Sequence, residues 1–285
     1  MNKYYLLFPN FNPVACYIGN FSIHWYGVMY IISLFFAIQF SQSLALKNKN
    51  YWIYKNIYNI LYIVFIGVLL GGRLGYIVFY NYYFYMNNIL ECFKIWKGGM
   101  SFHGGLIGGS ITIYYFIKKN KKKFFEISDF IIPIIPFGLG AGRIGNLING
   151  ELIGRINVNS PIYMFFPSSK KIDIETLKTH PELQHIFDTW GLLPRHPSQL
   201  YEFFFEGIIL FIIFNHIKHK KNKNGYMSAL FLIYYSIIRI FLEFFREPDI
   251  QLGFFYNFFT LGQILSIPML VIGIIIFINI KKSNK

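Results

Sequence analysis

The chain has 285 residues, of which 54% are hydrophobic, 21% aromatic and only 14% charged. Soluble domains carry about 25% charged residues, and the mean hydropathy of +0.41 is too high for a soluble protein of this length, so the composition reads as a polytopic membrane protein. The formal charge of +14 sits in short lysine clusters between apolar runs and not in a patch among aromatics; this sets nucleic acid aside as a partner and points to an anionic membrane surface.

Taken in chain order, MNKYYLLFPNFNPVACYIG holds one lysine and a short apolar stretch broken by proline, which does not read as a signal peptide. Seven stretches then reach the roughly 20 residues that a span requires: 21–42, 57–79, 98–117, 126–147, 197–217, 226–245 and 260–280. Lys47, Lys49 and Lys55 follow the first span, KKNKKK (118–123) the third, KHKKNK (218–223) the fifth, and Lys281, Lys282 and Lys285 the seventh. Together these are 15 of the 27 Lys and Arg residues, all on one face of an alternating topology. Cytoplasmic loops carry such an excess, so the N-terminus is expected outside and the C-terminus in the cytoplasm. Residues 148–195 then form an external segment, read as a small folded head, and residues 80–97 an external arm. The expected fold is one all-α transmembrane domain of seven helices, with no internal repeat.

Ionisable groups within spans cost about 2.5–3.5 kcal/mol each on insertion scales. His24, Tyr26, His103, Gln199, Tyr201, Glu202 and Gln263 fall near the starts of outside-to-inside spans. Arg73, Arg143, Asn146, Arg239, Glu243 and Arg246 fall toward the ends of inside-to-outside ones. All therefore lie in the outer half of the membrane, which predicts a polar cavity opening to that leaflet. Glu202 and Arg246 also fit a plain interfacial place. Arg239 does not: it sits six residues, about 9 Å, inside the predicted end of its span. Tyr235, Arg239, Glu243 and Arg246 share one helical face, where Glu243 either neutralises Arg239 or holds it while its other donors face a ligand. The pairs Gly104/Gly108 and Gly105/Gly109 predict close helix packing. Arg73 is left between pairing with backbone carbonyls and meeting a lipid phosphate.

The fourth span carries Pro133 and Pro136 and closes in GAGRIGNLINGELIG, residues 140–154. Gly138, Gly140, Gly142 and Gly145 are expected to loosen the helix there. Arg143 offers a planar fork suited to phosphate, Asn146 and Asn149 donate and accept, and Glu151 can orient the arginine. No histidine or carboxylate pair has ligand spacing with a third partner, so neither metal nor cofactor is expected, and Cys16 and Cys92 do not make a disulfide scaffold.

GRIGNLINGELIG (142–154), SFHGG (101–105), GGRLGY (71–76), RHPSQLYE (195–202), RIFLEFFREPD (239–249) and LGQILSIPM (261–269) occur in this order along the chain. This set closely resembles the bacterial prolipoprotein diacylglyceryl transferases, over essentially the whole chain. Leu147 and Ile240 stand where that signature usually has Phe, and neither touches a charged group. The resemblance implies an inner-membrane enzyme that moves the diacylglyceryl group of phosphatidylglycerol onto the lipobox cysteine of a preprolipoprotein. A thioether forms and glycerol phosphate leaves. It further implies that Arg143 and Arg239 clamp the departing phosphate, and that His103 or a tyrosine such as Tyr235 takes the thiol proton. Tyr26, Asn146, Glu151, Gly154 and Glu243 match further positions for phosphatidylglycerol binding. Two readings compete. A lipid or small-molecule transporter would also hold intramembrane Arg and Glu, but no repeated half is present and no polar path continues to the cytoplasmic side. A scaffold whose charges only satisfy one another would need equal numbers of Arg and Glu in the spans, whereas Arg73, Arg143 and Arg239 outnumber Glu243.

Overall fold

The computed structural model describes residues 4–9, 11–19, 21–94, 98–158, 162–218, 223–249, 251–256 and 258–282. Lys220, Lys221 and Lys285 of the lysine clusters, residues 95–97 of the arm and 159–161 of the 148–195 segment lie outside the described residues. Seven apolar helices account for most of the chain: α1 (Trp25–Lys47), α2 (Tyr51–Tyr80), α3 (Phe102–Asn120), α4 (Phe124–Asn149), α5 (Ser198–Ile217), α6 (Tyr226–Leu242) and α7 (Leu261–Lys282). Five of them, α1, α2, α4, α5 and α7, are long and apolar enough to cross a membrane. Four glycines, His103 and the closing Lys118, Lys119 and Asn120 dilute α3, and α6 has only 17 residues. At about 1.5 Å per residue that is some 26 Å, short of a hydrocarbon core about 30 Å thick.

The chain is not purely helical. Strands β1 (Tyr4–Leu7), β2 (Val14–Ile18), β3 (Phe21–His24) and β4 (Ile162–Phe165) form two small sheets, β1 parallel to β4 and β2 antiparallel to β3. Because β3 occupies residues 21–24, α1 begins four residues later than the predicted span. His24 is therefore a strand residue paired with Val14, not a group within a span.

Helix α2 lies against α3 along facing glycines. A Cβ on Gly71 would come 2.8 Å from the Cα of Gly108, and one on Gly75 would come 2.7 Å from the Cα of Gly104. These are the small residues at i, i+4 that let two backbones touch, so the packing role expected of Gly104 and Gly108 holds. Isoleucines fill the space among α1, α2, α3 and the start of α4: Ile53, Ile57, Ile60, Ile113 and Ile127 are all buried. A second core joins α4, α5, α6 and α7 through Leu210, Phe214, Phe231 and Met269. Large apolar side chains such as Ile31, Phe35, Leu74, Ile212 and Ile272 point outward instead, as a lipid-facing surface requires.

Asp129, near the start of α4, accepts from the backbone N–H of Gly225 (2.6 Å) and from the N–H and hydroxyl of Ser228 (2.9 and 2.6 Å). It thereby caps α6 from another helix and fixes the starts of α4 and α6 at one end of the bundle. Some polar structure thus exists at this end, contrary to the sequence reading, but it is consumed by capping.

Candidate active site

At the other end, helix termini bring the polar residues together. Proline does disturb α4, as a 3-10 turn at Ile132–Ile134. Beyond it, however, residues 135–149 form an unbroken helix that ends in a left-handed Gly150 (φ +64°). The glycines therefore do not loosen the segment; Gly140 and Gly145 bring neighbours close, while Gly142 meets nothing within 4 Å. A Cβ on Gly140 would sit 3.2 Å from the Cα of Gly207 in α5, and one on Gly145 would sit 2.8 Å from the Tyr26 ring in α1. Close approach at Gly140 and Gly207 sets Arg143, one turn on, beside the α5 carboxylates.

Those carboxylates are Glu202 and Glu206, placed around the π-helical turns of Phe203–Ile209, a local distortion often found at functional sites. The Nε and Nη2 of Arg143 both donate to Glu206 Oε2, at 2.9 and 2.8 Å. Its Nη1 lies 3.1 Å from Glu202 Oε2. The other oxygen of Glu202 accepts from Arg239 Nη1 at 2.7 Å, so one carboxylate joins the two arginines that the sequence singled out. Arg239 Nη2 donates to Glu243 Oε1. Arg246 stands 3.8 Å from both Glu202 Oε1 and Glu243 Oε1. Helix α6 ends at Leu242 and not at 245, which puts Arg239 in its last turn, yet all members of the cluster are buried or nearly so.

Three arginines thus meet three glutamates. Glu206 was overlooked, although a lone carboxylate in the apolar run FFFEGII was the signal for it. Glu202, read as interfacial, lies at the centre, 1% exposed. The excess of arginine that argued against a scaffold is therefore not there: Arg143, Arg239 and Arg246 are balanced by Glu202, Glu206 and Glu243. Arg73 resolves to the plainer of its two readings. It donates to the carbonyls of Glu91, Cys92, Lys94, Gly98 and Gly99 at 2.6–3.3 Å and takes no part in the cluster.

The other candidates divide. Tyr235 is fully buried, its ring stacked on Phe102 with centroids 4.1 Å apart. Its hydroxyl and His103 Nε2 are both buried with no hydrogen-bond partner among the described residues, and His103 lies within electrostatic reach of Arg239 and Glu243. Tyr26 leans on Gly145 and shares a 3.3 Å hydroxyl contact with Tyr30. Asn146 is buried in α4, and its carbonyl accepts the Glu151 N–H at 2.9 Å. Glu151 Oε1 accepts from Asn149 Nδ2 at 3.4 Å, away from the three guanidinium groups.

Gly154 stands apart from the cluster but braces it. It pairs with Arg246 in an antiparallel bridge, and its carbonyl accepts from Arg195 Nη1 at 2.9 Å. Arg155 donates to the carbonyls of Arg246 and Glu243 at 2.9 and 3.1 Å, closing the end of α6. Arg195, with no exposed surface, is held twice by Asp173 Oδ1 (3.0 and 2.7 Å). Beside it, burial and then the charge of Arg155 keep the His196 imidazole below its ordinary value. A cavity adjoins Arg239 and Glu243, walled by Tyr80, Arg246, Asp249, Thr260 and Gly262.

A family model described as prolipoprotein diacylglyceryl transferase matches residues 13–279. Curated relatives named phosphatidylglycerol–prolipoprotein diacylglyceryl transferase are similar along almost the entire chain. That of Buchnera aphidicola subsp. Acyrthosiphon pisum (strain Tuc7) is 54% identical over 272 residues, 95% of this chain and 97% of the relative. That of Wigglesworthia glossinidia brevipalpis is 53% identical over 280 residues, 97% and 99% of the two chains, and that of Cronobacter sakazakii 52% over 274 residues, 96% and 94%. With near-complete coverage at this identity, and apolar helices enough for several membrane crossings, the chain belongs to the prolipoprotein diacylglyceryl transferase family.

Proposed function

We propose that the arginine–glutamate cluster takes the phosphate of phosphatidylglycerol and that the protein transfers its diacylglyceryl group to the lipobox cysteine thiol of a preprolipoprotein. The sulfur bonds to the glycerol carbon, the carbon–oxygen bond to phosphate breaks, the thiol proton goes to a base, and glycerol phosphate leaves. Arg143 and Arg239 on opposite oxygens of Glu202 carry this reading. Each guanidinium has five N–H donors; Arg143 has three contacts with Glu206 and Glu202, and Arg239 hydrogen bonds to Glu202 and Glu243, which leaves donors on both for a phosphate. Fixed donors in a water-poor site stabilise the charge that grows on the leaving oxygen. A free thiol, with a pKa of about 8.5, is mostly protonated at neutral pH. His103 Nε2, buried without a hydrogen-bond partner among the described residues, is the base in this reading, and the Tyr235 hydroxyl, likewise unpartnered, can accept that proton only while passing on its own. Tyr26 and Asn146 border the lipid beside Arg143; Glu151 and Gly154 act from the segment that follows α4, and Glu243 holds Arg239.

The same reading makes all seven helices spans of one transferase domain. A short α6 and a glycine-rich α3 are accommodated because α3 lies against α2 and α6 against α7, so neither meets lipid all round. The lysine-bearing ends then face the cytoplasm of an inner membrane, with the N-terminus outside and residues 148–195 as a periplasmic head insertion. The arginine cluster comes to lie in the outer leaflet, where a translocated precursor presents its cysteine.

The test is purified protein with phosphatidylglycerol and a lipobox peptide. Thioether formation selects the transferase; lipid movement without product would select the transporter, and neither would select the scaffold. His103→Gln lowers the rate and flattens its pH profile; an unchanged profile would mean that the base is another group.

A further inference from the structure

We infer that Thr260 and Gly262, at the start of α7, are positioning residues that seat Glu243 so that it presents Arg239 to the substrate phosphate. This rests on the phosphate reading above. Glu243 is the C-cap of α6, followed by a single hydrogen-bonded turn through Phe244 and Phe245, and it is only 3% exposed. One of its oxygens, Oε1, faces Arg239 and Arg246. The other, Oε2, accepts from the Thr260 hydroxyl at 2.7 Å.

The direction of that bond is set locally. Thr260 and Gln263 form a capping box at the start of α7: the Thr260 N–H donates to Gln263 Oε1 at 3.0 Å, and the Thr260 hydroxyl oxygen accepts the Gln263 N–H at 3.3 Å. A hydroxyl has one proton to give. Since its oxygen already accepts, that proton goes to Glu243. Gly262 provides the seat. A Cβ there would lie 2.6 Å from Glu243 Oε1 and 2.8 Å from its carboxyl carbon, so any side chain would push the carboxylate out. Gln263 Nε2 makes a further contact with α6, a long bond of 3.3 Å to the Ile240 carbonyl that does not involve Glu243. If the carboxylate turns, the arginine that it holds turns with it, although neither Thr260 nor Gly262 need touch the lipid.

The test uses the full chain in lipid nanodiscs, with phosphatidylglycerol and the lipobox peptide varied separately. Thr260→Val is expected to raise KM for phosphatidylglycerol about tenfold, the worth of a lost hydrogen bond to a charged group, and to leave KM for the peptide unchanged. Thr260→Ser should restore the wild-type value, and Gly262→Ala should reproduce the valine variant. Gln263→Ala, which removes the cap's side-chain acceptor without touching Glu243, should leave the lipid KM where it was. The inference is overturned if Thr260→Val keeps the wild-type lipid KM. It is equally overturned if serine fails to rescue, which would put the effect in the threonine methyl, or if Gln263→Ala matches the valine variant, which would reduce Thr260 to a helix cap. Arg239→Lys separates the two levels: if it too left the lipid KM unchanged, the phosphate reading itself would fail, whereas an impaired Arg239→Lys beside a normal Thr260→Val condemns the seat alone.

Discussion

Arg73 and Arg239 sit near the ends of their helices and are equally hidden, at 5% and 7% exposure, yet they are spent differently. Arg73 gives its donors to five main-chain carbonyls, in residues 91–94 and 98–99. Arg239 is held by the side chains of Glu202 and Glu243, which also serve other arginines. Carbonyl dipoles carry no net charge and belong to the backbone, so nothing can exchange with them without unfolding the arm. Shared carboxylates can rotate, and an incoming phosphate offers the same bidentate geometry. Arg195 belongs with Arg73: Asp173, the Gly154 carbonyl and Glu247 surround it completely. On the reading proposed above, whether the groups that hold a buried arginine are shared with other arginines and free to turn, more than its depth, separates a structural use from a functional one.

The comparison breaks most visibly at Arg195. Arg195→Leu leaves Asp173 as a buried charge, which costs about 3–5 kcal/mol. The melting temperature should fall sharply, and Arg195→Leu combined with Asp173→Leu should recover much of it. A melting temperature close to wild type in the single variant would mean that this arginine is not the lock on the segment after α4.

The cluster should respond the other way. Arg143→Lys and Arg239→Lys keep the charge balance with Glu202, Glu206 and Glu243 but give up the planar fork. Folding should hold while the rate of thioether formation drops about a hundred- to a thousandfold, the scale of losing a fixed donor at a developing anion. Full activity in either variant would remove the clamp from the mechanism.

Arg73→Ala falls between the two. Five carbonyls lose their donor, for about 2–4 kcal/mol of local stability, and the loss should appear as opening of the arm rather than of the bundle. Trypsin cleavage after Lys94 reads it directly. Unaltered protection there would show that the arm is held by its own packing.

The sequence made the helices legible because their apolar runs are local signals. It also grouped Tyr235, Arg239, Glu243 and Arg246, since helical spacing alone puts them on one face. It went astray where meaning depends on a distant partner. The glycines around Arg143 read as loosening because Gly207 and Tyr26, which they admit, lie elsewhere in the chain. An arginine codon says nothing about whether carbonyls or carboxylates will meet it, so Arg73 stayed ambiguous. Strand β1 was invisible for the same reason: its partner β4 lies more than half the chain's length away, Tyr4 pairing with Ile162. Glu206 is different, for it was readable as an ionisable group within a span and was passed over.

The smallest effect is expected at His196, beside the braces around Arg195. His196 packs on Gly154, faces the hydroxyl of Tyr201 at 3.3 Å and the amide of Asn157 at 3.4 Å, and stands edge-on to Phe245. Burial, and then the charge of Arg155, depress its affinity for a proton in the folded chain. The unfolded chain takes that proton near the ordinary value of about 6.5. Stability from this group is therefore present above about pH 6.5 and lost as the pH falls below it. His196→Gln should flatten the decline in melting temperature between about pH 7 and pH 5 relative to wild type, by a few degrees at most. If the two proteins lose stability in parallel, His196 is not the source of the acid sensitivity, and its burial beside Arg155 does not set the stability of this segment.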